Sequence, residues 1–469
     1  MMQVAEVLNR AERLVQEPIP SLADGIVEKT LSDLYKKTYK SKALQERASH
    51  ILPNGSQHTL PLNNPYPFYM EKGYGSTLSD VDGNQYLDYI LSGGAIILGH
   101  NHQGLVSEIS QFISLKTHFH GHFDEIELKA AEEVVAFFPG IEKVRFTASG
   151  SEANVAAVKI ARAYTGFSKV IKFNGNYHGW ANEFLIDVEV PGTGKFISSG
   201  IPDAFMSETI LVPQNDLGRL EEVFIQYKDL GGIAAIICEP MGAESGLIPF
   251  IECFHEQAMA MAHQYGALYI FDEVVTGFRM DKGGAQSFLG VTPDLTTLGK
   301  GLMNGFPSCG AVGGRKEIMD TAITGLPNGQ PFTFVAGTLS GNALSMAACN
   351  YVVNHLRTSD ALSQANVVAT DLSNKLNALF ESYDSSFFAY NIGNIMRVEM
   401  TAPHAVNIDS AESLHEVIQR RSILSQYAMI VANQGVLSRM GRDFVSCAHT
   451  IDDNDAYVKA YAVLMEALD

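Results

Sequence analysis

A chain of 469 residues, 46% apolar and 18% charged, is long enough for two or more packed domains and too apolar for a disordered tail. Its 52 acidic and 33 basic residues leave a formal charge of −19, which works against duplex nucleic acid or an anionic membrane, so any anionic ligand must be met by local donors. The five cysteines (Cys238, Cys253, Cys309, Cys349, Cys447) are scattered and form no Cys-x-x-Cys pair, so no disulfide framework or thiolate zinc site is expected and a reducing cytoplasm fits.

The opening MMQVAEVLNRAERLVQ breaks its apolar positions with charges, and no run of 18 apolar residues follows anywhere, so neither a signal peptide nor a membrane span is expected. Residues 1 to about 50 read as helical, ending in the basic stretch LYKKTYKSKALQER before Pro53, Asn54 and Gly55. We assign 1–45 as an N-terminal helical extension and 46–85 as the N-terminal part of a small domain. Within the latter, STLSDVDGNQYLDYI reads as a hairpin turning at Asp82-Gly83. From about residue 104, helical stretches alternate with short apolar runs, KVRFTAS, KVIKFNG, GIAAIICEP and ALYIFDEV, which have the character of parallel strands buried on both faces. The expected fold class is therefore α/β, with a large, doubly wound, mostly parallel sheet domain over 86–345. After the helical SGNALSMAACNYVVNHL, residues 346–469 mix helices with the strand-like pieces NIMRVEM and QYAMIVA and are expected to form a smaller α+β domain.

Three features fall at the ends of predicted strands, where open α/β sheets bind ligands. After KVRF, the run Thr147-Ala148-Ser149-Gly150-Ser151-Glu152-Ala153 opens a helix with small residues and hydroxyls, a setting that suits a phosphate. Asp272 ends the strand ALYIFD, where a carboxylate must pair with a cation or lie in solvent. Lys300 lies in the apolar, glycine-rich PDLTTLGKGLMNGFPSCGAVGG, and a lysine so placed tends to become a nucleophilic amine ready for a Schiff base. Each has an ordinary reading alone: a helix cap, a surface carboxylate, a solvated lysine. In combination they match pyridoxal 5′-phosphate, which needs an anion cradle, an acid at the pyridine nitrogen and a lysine for the aldehyde. Tyr177-His178-Gly179, after KVIKFNG, adds flat side chains at another strand end.

The chain resembles the class III, fold type I, pyridoxal-phosphate aminotransferases, and among them most closely the glutamate-1-semialdehyde 2,1-aminomutases. The resemblance runs from about residue 50 to 467 through LSDVDGNQYLDY, ASGSEA, RAYTGFSKVIKFNGNYHGW, ICEPMGAESG, FDEVVTGFR, GVTPDLTTLGKGLMNGFP, AGTLSGNAL and SCAHT. It implies that Lys300 holds the cofactor aldehyde and shuttles protons while Asp272 pairs with the ring nitrogen. Ser149, Gly150 and Ser151 would hold the phosphate, and Thr338 would reach it from the other subunit of a homodimer. Tyr177 or His178 would cover one ring face and Val274 the other, with Glu239 buttressing the cofactor region.

Where the aminomutases carry an arginine that clamps the substrate carboxylate, this chain reads LPNGSQHTLPL, with His58, Thr59 and Pro61. Losing a charged hydrogen bond worth roughly 1.5 to 3 kcal/mol weakens a free amino acid about 10-fold to 100-fold unless another cation replaces it, and Arg439 or Arg442 in VLSRMGRDF is the candidate. Gly441 stands where the aminomutases have a glutamate, and Gly93 where a tryptophan narrows their pocket. The expectation is a more open site and ordinary transamination between an amino donor and a carbonyl acceptor. The alternatives are aminomutase-type internal transfer, or amination of a β-keto acyl chain on an acyl carrier protein docked at Lys36, Lys37, Lys40, Lys42 and Arg47.

One rival concerns KTHFHGHFDE, whose His118, His120 and His122 alternate and would share one strand face as zinc ligands. The resemblance places this segment near the active-site entrance, so His120 is assigned as a substrate contact and no metal is expected.

Overall fold

The computed structural model describes residues 3–57, 64–116, 122–188, 197–321 and 333–468. The chain forms two compact units, Met1–His102 with Gln364–Asp469, and Gln103–Ser363.

The first unit begins with helices Val4–Val15, Ile26–Lys37 and Tyr39–Ser49. In the first of these, Val7, Ala11 and Leu14 recur at helical spacing and form the buried face. An antiparallel meander follows: β1 (Met70–Tyr74), β2 (Thr77–Asp80) and β3 (Gln85–Asp88). The expected hairpin is the β2–β3 pair, with Thr77 opposite Leu87 and Asp82-Gly83 between the strands.

The second unit is built on β4 (Lys143–Thr147), β5 (Lys169–Phe173), β6 (Thr209–Val212), β7 (Ile233–Cys238), β8 (Leu268–Asp272), β9 (Leu295–Gly299) and β10 (Gly310–Gly314). They form one sheet in the order β4-β10-β9-β8-β7-β5-β6. Only β10 runs against its neighbours, so the other six strands point the same way and their C-terminal ends share one edge. Alternate residues feed opposite faces. Val170, Ala235, Ile237 and Ile270 pack with helix Gly150–Thr165, while Ile171, Ile236, Tyr269 and Phe271 pack with helices Leu217–Tyr227 and Phe254–Gln264. This two-sided burial explains the uninterrupted apolar runs.

Two elements of this sheet differ from the sequence reading. The run KVRFTAS forms β4, but its sheet partner is the antiparallel β10 rather than a parallel strand. The strand β10 itself, GAVGG, carries no strand signal because glycine lacks the side chains that favour sheets. Its glycines serve close approach: a Cβ at Gly310 would lie 2.2 Å from the Ser149 carbonyl oxygen.

The chain then returns to the first unit with β11 (Phe388–Ile392), β12 (Ile395–Glu399), β13 (Val436–Leu437) and β14 (Arg442–Phe444). NIMRVEM supplies β12. QYAMIVA, read as strand-like, lies instead in helix Ala411–Asn433, which starts from a Ser410/Ser413 capping box. Its buried positions Tyr427, Ile430 and Val431 follow helical spacing, which a seven-residue apolar run does not distinguish from a strand. β13 pairs in parallel with β3, Val436 opposite Leu87, joining residues on either side of the larger unit into one sheet. Thus residues 86–102 belong to the first unit and helix Ala343–Thr358 to the second, where the sequence bounds were 86–345.

Candidate active site

The shared strand edge of the larger unit gathers the motifs. β4 leads into Ala148–Ser151, β5 into Asn174–Gly179 and β7 into Glu239, β8 ends at Asp272, and β9 leads into Lys300.

Asp272 is 4% exposed and surrounded by donors. Asn154 Nδ2 and His178 Nδ1 each lie 2.7 Å from Oδ2, and the Val274 N–H donates to Oδ1 at 3.0 Å. The Thr297 hydroxyl donates to Asn154 Oδ1 at 2.6 Å, fixing that amide, and lies 3.3 Å from Asp272 Oδ1. Burial holds the His178 imidazole below its ordinary pKa, partly offset by the hydrogen bond to Asp272. A neutral ring facing a carboxylate carries its proton on Nδ1. Its Nε2 is buried and has no hydrogen-bond partner among the described residues.

Ser149 caps helix Gly150–Thr165 by accepting from the Glu152 N–H at 3.2 Å. The N–H groups of Gly150 and Ser151 lie in the first turn, where no intrahelical acceptor exists and the helix dipole is positive. Close packing joins this loop to the other strand ends. A Cβ at Gly150 would meet both Val274 methyls at 2.8 Å, and one at Gly299 would meet Val274 Cγ1 at 3.1 Å and Gly150 Cα at 3.4 Å. Ser149 also bridges to Cys309, whose thiol donates to the Lys300 carbonyl at 3.3 Å. Lys300 adopts φ +40°, a left-handed conformation that costs a non-glycine residue on the order of 1–2 kcal/mol.

Tyr177 and His178, alternatives for one role in the sequence, have different surroundings. His178 is fully buried against Asp272, whereas the Tyr177 side chain is 42% exposed. The Tyr177 N–H donates to Glu239 Oε1 at 2.9 Å, and the Glu239 N–H donates to Asn176 Oδ1 at 2.8 Å, so Glu239 fixes the turn carrying both residues. Gly179 completes that turn at φ +93°, where a Cβ would overlap Ser151 Oγ at 2.3 Å.

Thr338 is exposed, in a loop that lines a cavity of about 720 Å³ with Phe123, Glu127, Leu128 and Arg145. Lys300, Asp272 and Ser149 are not among its walls.

The remaining candidates are the expected substrate contacts. His58 and His120 lie outside the described residues, as does His118. A Cβ added at Gly93 meets no atom within 4 Å, although φ is +71°. The Arg439 N–H donates to Asp443 Oδ1 at 2.8 Å, and the Arg442 guanidinium lies 5.9 Å from the Phe444 ring centroid. Arg442 stands directly opposite Arg397, a 3% exposed residue paired with Glu399 at 3.2 Å. Burial pushes the Glu399 carboxyl up to about 7. No group of three or more metal-ligating side chains forms among the described residues.

Sequence reasoning missed Asn154, Thr297 and Arg397. The first two sit inside strong motifs, ANVAAV and DLTTLG, but only the fold shows that they face Asp272.

The family description "Aminotransferase class-III" matches residues 61–457. The chain belongs to the class-III aminotransferases. It is 36% identical to glutamate-1-semialdehyde 2,1-aminomutase 2 of Bacillus licheniformis over 92% of this chain and 98% of that protein. Among solved structures it is similar to an omega-transaminase from Sphaerobacter thermophilus, with 28% identity, 92% and 99% of the two chains covered and a TM-score of 0.83. It is also similar to a β-phenylalanine aminotransferase from Variovorax paradoxus, with 27% identity, 94% and 97% coverage and a TM-score of 0.79.

As in other class-III aminotransferases, the cofactor is pyridoxal phosphate, and the donor set fits it. The Ser149–Ser151 turn offers N–H groups and hydroxyls to a phosphate, the buried Asp272 offers a carboxylate to a cationic ring nitrogen, and glycines at 150 and 299 let Val274 pack against both the turn and the strand end before Lys300.

Proposed function

We propose that this aminotransferase moves an amino group between a separate amino donor and a carbonyl acceptor, with Lys300 as the lysine that holds the cofactor. The observation that carries the site assignment is the enclosed group of Asp272, His178, Asn154 and Thr297 beside the Gly299-Lys300 strand end. Pyridoxal phosphate, when bound, supplies an aldehyde that accepts the amine and a cationic ring that withdraws electrons from it. Asp272 holds the ring nitrogen's proton, and Ser149, Gly150 and Ser151 hold the phosphate. Of the two aromatic side chains, the exposed Tyr177 serves the ring face, because His178 is committed to Asp272; Val274 serves the other face. Once the donor's nitrogen has taken its place, Lys300 Nζ would take the proton from the donor Cα and return it on the cofactor side. The donor would leave as a carbonyl compound whose oxygen comes from water, its amino group and two electrons staying with the cofactor, and the acceptor would collect them in the reverse order.

Transamination is preferred over internal transfer because the segment at residues 52–62 has no arginine, Gly93 has open space beside it, and Gly441 replaces an acid. Arg439 and Arg442 are the proposed replacement for the missing carboxylate clamp. The 36% likeness to aminomutases favours the second reading, internal amino transfer. A panel of amines, α-amino acids and β-amino acids, followed by cofactor absorbance, decides between them. Bleaching by a β-amino acid or simple amine supports transamination, whereas response only to glutamate semialdehyde or its diamino relative overturns it.

A soluble substrate is preferred over a carrier-bound one because much of the basic stretch is engaged at home. The Lys37 ammonium donates to the Asn433 carbonyl at 3.0 Å and side chain at 2.9 Å, Lys40 to the Val81 carbonyl at 3.1 Å, and Lys36 lies 3.9 Å from Asp33. Lys42 stacks over Tyr35 at 4.9 Å. A homodimer in which Thr338 meets the other subunit's phosphate is supported by the exposed Phe123, Leu128, Phe334 and Leu339 around its loop. The five free cysteines support a reducing, cytoplasmic setting. Among the described residues no helix is long and apolar enough to cross a membrane.

A further inference from the structure

Asn154 lies in helix Gly150–Thr165, one turn beyond the proposed phosphate cradle, and is 1% exposed. An asparagine there is unfavourable twice over. Its side chain competes with the helix for hydrogen bonds, and a buried amide costs free energy unless its groups are paired. Here both ends are paired. Nδ2 donates to Asp272 Oδ2 at 2.7 Å and to the His178 carbonyl at 3.0 Å, and Oδ1 accepts from the Thr297 hydroxyl at 2.6 Å. These neighbours fix which way the amide faces, because Nδ2 meets only acceptors and Oδ1 meets a hydroxyl. One side chain of the phosphate-side helix therefore holds both the acid at the end of β8 and the turn that carries Tyr177 and His178.

Each carboxylate oxygen has two in-plane lone pairs to offer. On Asp272 Oδ2 both are taken, by Asn154 Nδ2 and His178 Nδ1, each at 2.7 Å. Oδ1 accepts from the Val274 N–H at 3.0 Å. The Thr297 hydroxyl has one proton, and the 2.6 Å contact to Asn154 claims it over the 3.3 Å contact to Asp272 Oδ1. Among the described residues, one lone pair of the carboxylate is left, and it is on Oδ1. We infer that Asn154, oriented by Thr297, is a positioning residue that closes Oδ2 and leaves Asp272 Oδ1 as the acceptor for the cofactor's ring nitrogen. Thr297 acts through Asn154: without the hydroxyl nothing orients the amide, and a flipped amide turns its oxygen toward the Asp272 carboxylate. Both roles rest on the assignment of Asp272 to that nitrogen. Of the groups donating to Asp272, His178 is the titratable one; Asn154 and the Val274 N–H carry no charge.

The test compares holoenzymes of wild type, Asn154→Ala, Thr297→Val, Thr297→Ser and the double variant Asn154→Ala with Thr297→Val. Two quantities are read: free pyridoxal phosphate after ultrafiltration, and the pH midpoint at which the ring nitrogen loses its proton, from the NMR shift of cofactor labelled at that nitrogen. Asn154→Ala and Thr297→Val are each expected to raise release about tenfold and to lower the midpoint by about one pH unit, because a loosened carboxylate stabilises the ring cation less. Thr297→Ser keeps the hydroxyl and stays near wild type, and the double variant is no worse than Asn154→Ala alone. Additive losses in the double variant would overturn the inference, since Thr297 would then act on Asp272 without Asn154. Lower thermal stability with both quantities unchanged would overturn it too, showing a role in packing alone. Asp272→Asn is the control for the underlying assignment: if it keeps the wild-type release and midpoint, the ring-nitrogen assignment fails and takes this inference with it. If Asp272→Asn changes both and the Asn154 and Thr297 variants change neither, the inference about Asn154 and Thr297 alone fails.

Discussion

The two compact units place buried charge to different ends. In Gln103–Ser363, Asp272, His178, Asn154, Thr297 and Glu239 converge on the C-terminal edge of one sheet. In the other unit the buried charges fasten distant pieces of chain. Arg420, 3% exposed, donates to the carbonyls of Thr401 at 3.0 Å, Val15 at 2.7 Å and Glu17 at 3.1 Å, and to Glu416 at 2.8 Å. The first arrangement is the one proposed to meet a ligand's charge, and the second fastens an N-terminal segment. The difference teaches that buried polarity alone does not mark an active site; convergence on the C-terminal edge of an open α/β sheet does.

Substitutions in the two regions separate these roles. Lys300→Ala has the largest expected effect, a fall in turnover of at least about 10³-fold with thermal stability retained, read from steady-state rates. Asp272→Asn follows, with turnover lowered roughly 10²-fold to 10³-fold and weaker cofactor retention, because the isosteric amide removes the charge. Thr297→Val and Asn154→Ala loosen the group around Asp272 and are expected to cost about 1–3 kcal/mol each, read as a roughly 5-fold to 150-fold lower kcat/KM. Arg420→Ala inverts the pattern: turnover near wild type, stability lower by about 1–3 kcal/mol, and earlier limited proteolysis between residues 15 and 25. A large catalytic loss in Arg420→Ala with unchanged stability would erase the contrast between the units.

The larger unit was legible because its chemistry is concentrated in short motifs that follow strands. Ser149, Asp272 and Lys300 were singled out from residue type and strand position together, and Glu239 only through the family resemblance. Asn154 and Thr297 were not, because an asparagine in a helix and a threonine in a strand have no local pattern pointing toward a carboxylate more than 20 residues away. In the smaller unit the hairpin at Asp82-Gly83 was legible from turn chemistry, and β12 from its apolar character. QYAMIVA was not, since its helical register emerges only with the Ser410 cap seventeen residues before Tyr427 and the buried positions between them. Arg397 and Arg442, 45 residues apart, meet only through strand pairing.

The central claim is the bond between residue 300 and the cofactor, and borohydride reduction of the holoenzyme followed by peptide mapping tests it most directly. The account predicts a pyridoxyl group on Lys300 and a loss of that label in Lys300→Ala. A reduced protein in which Lys300 is unmodified, or in which another lysine bears the label in the wild type, would contradict it.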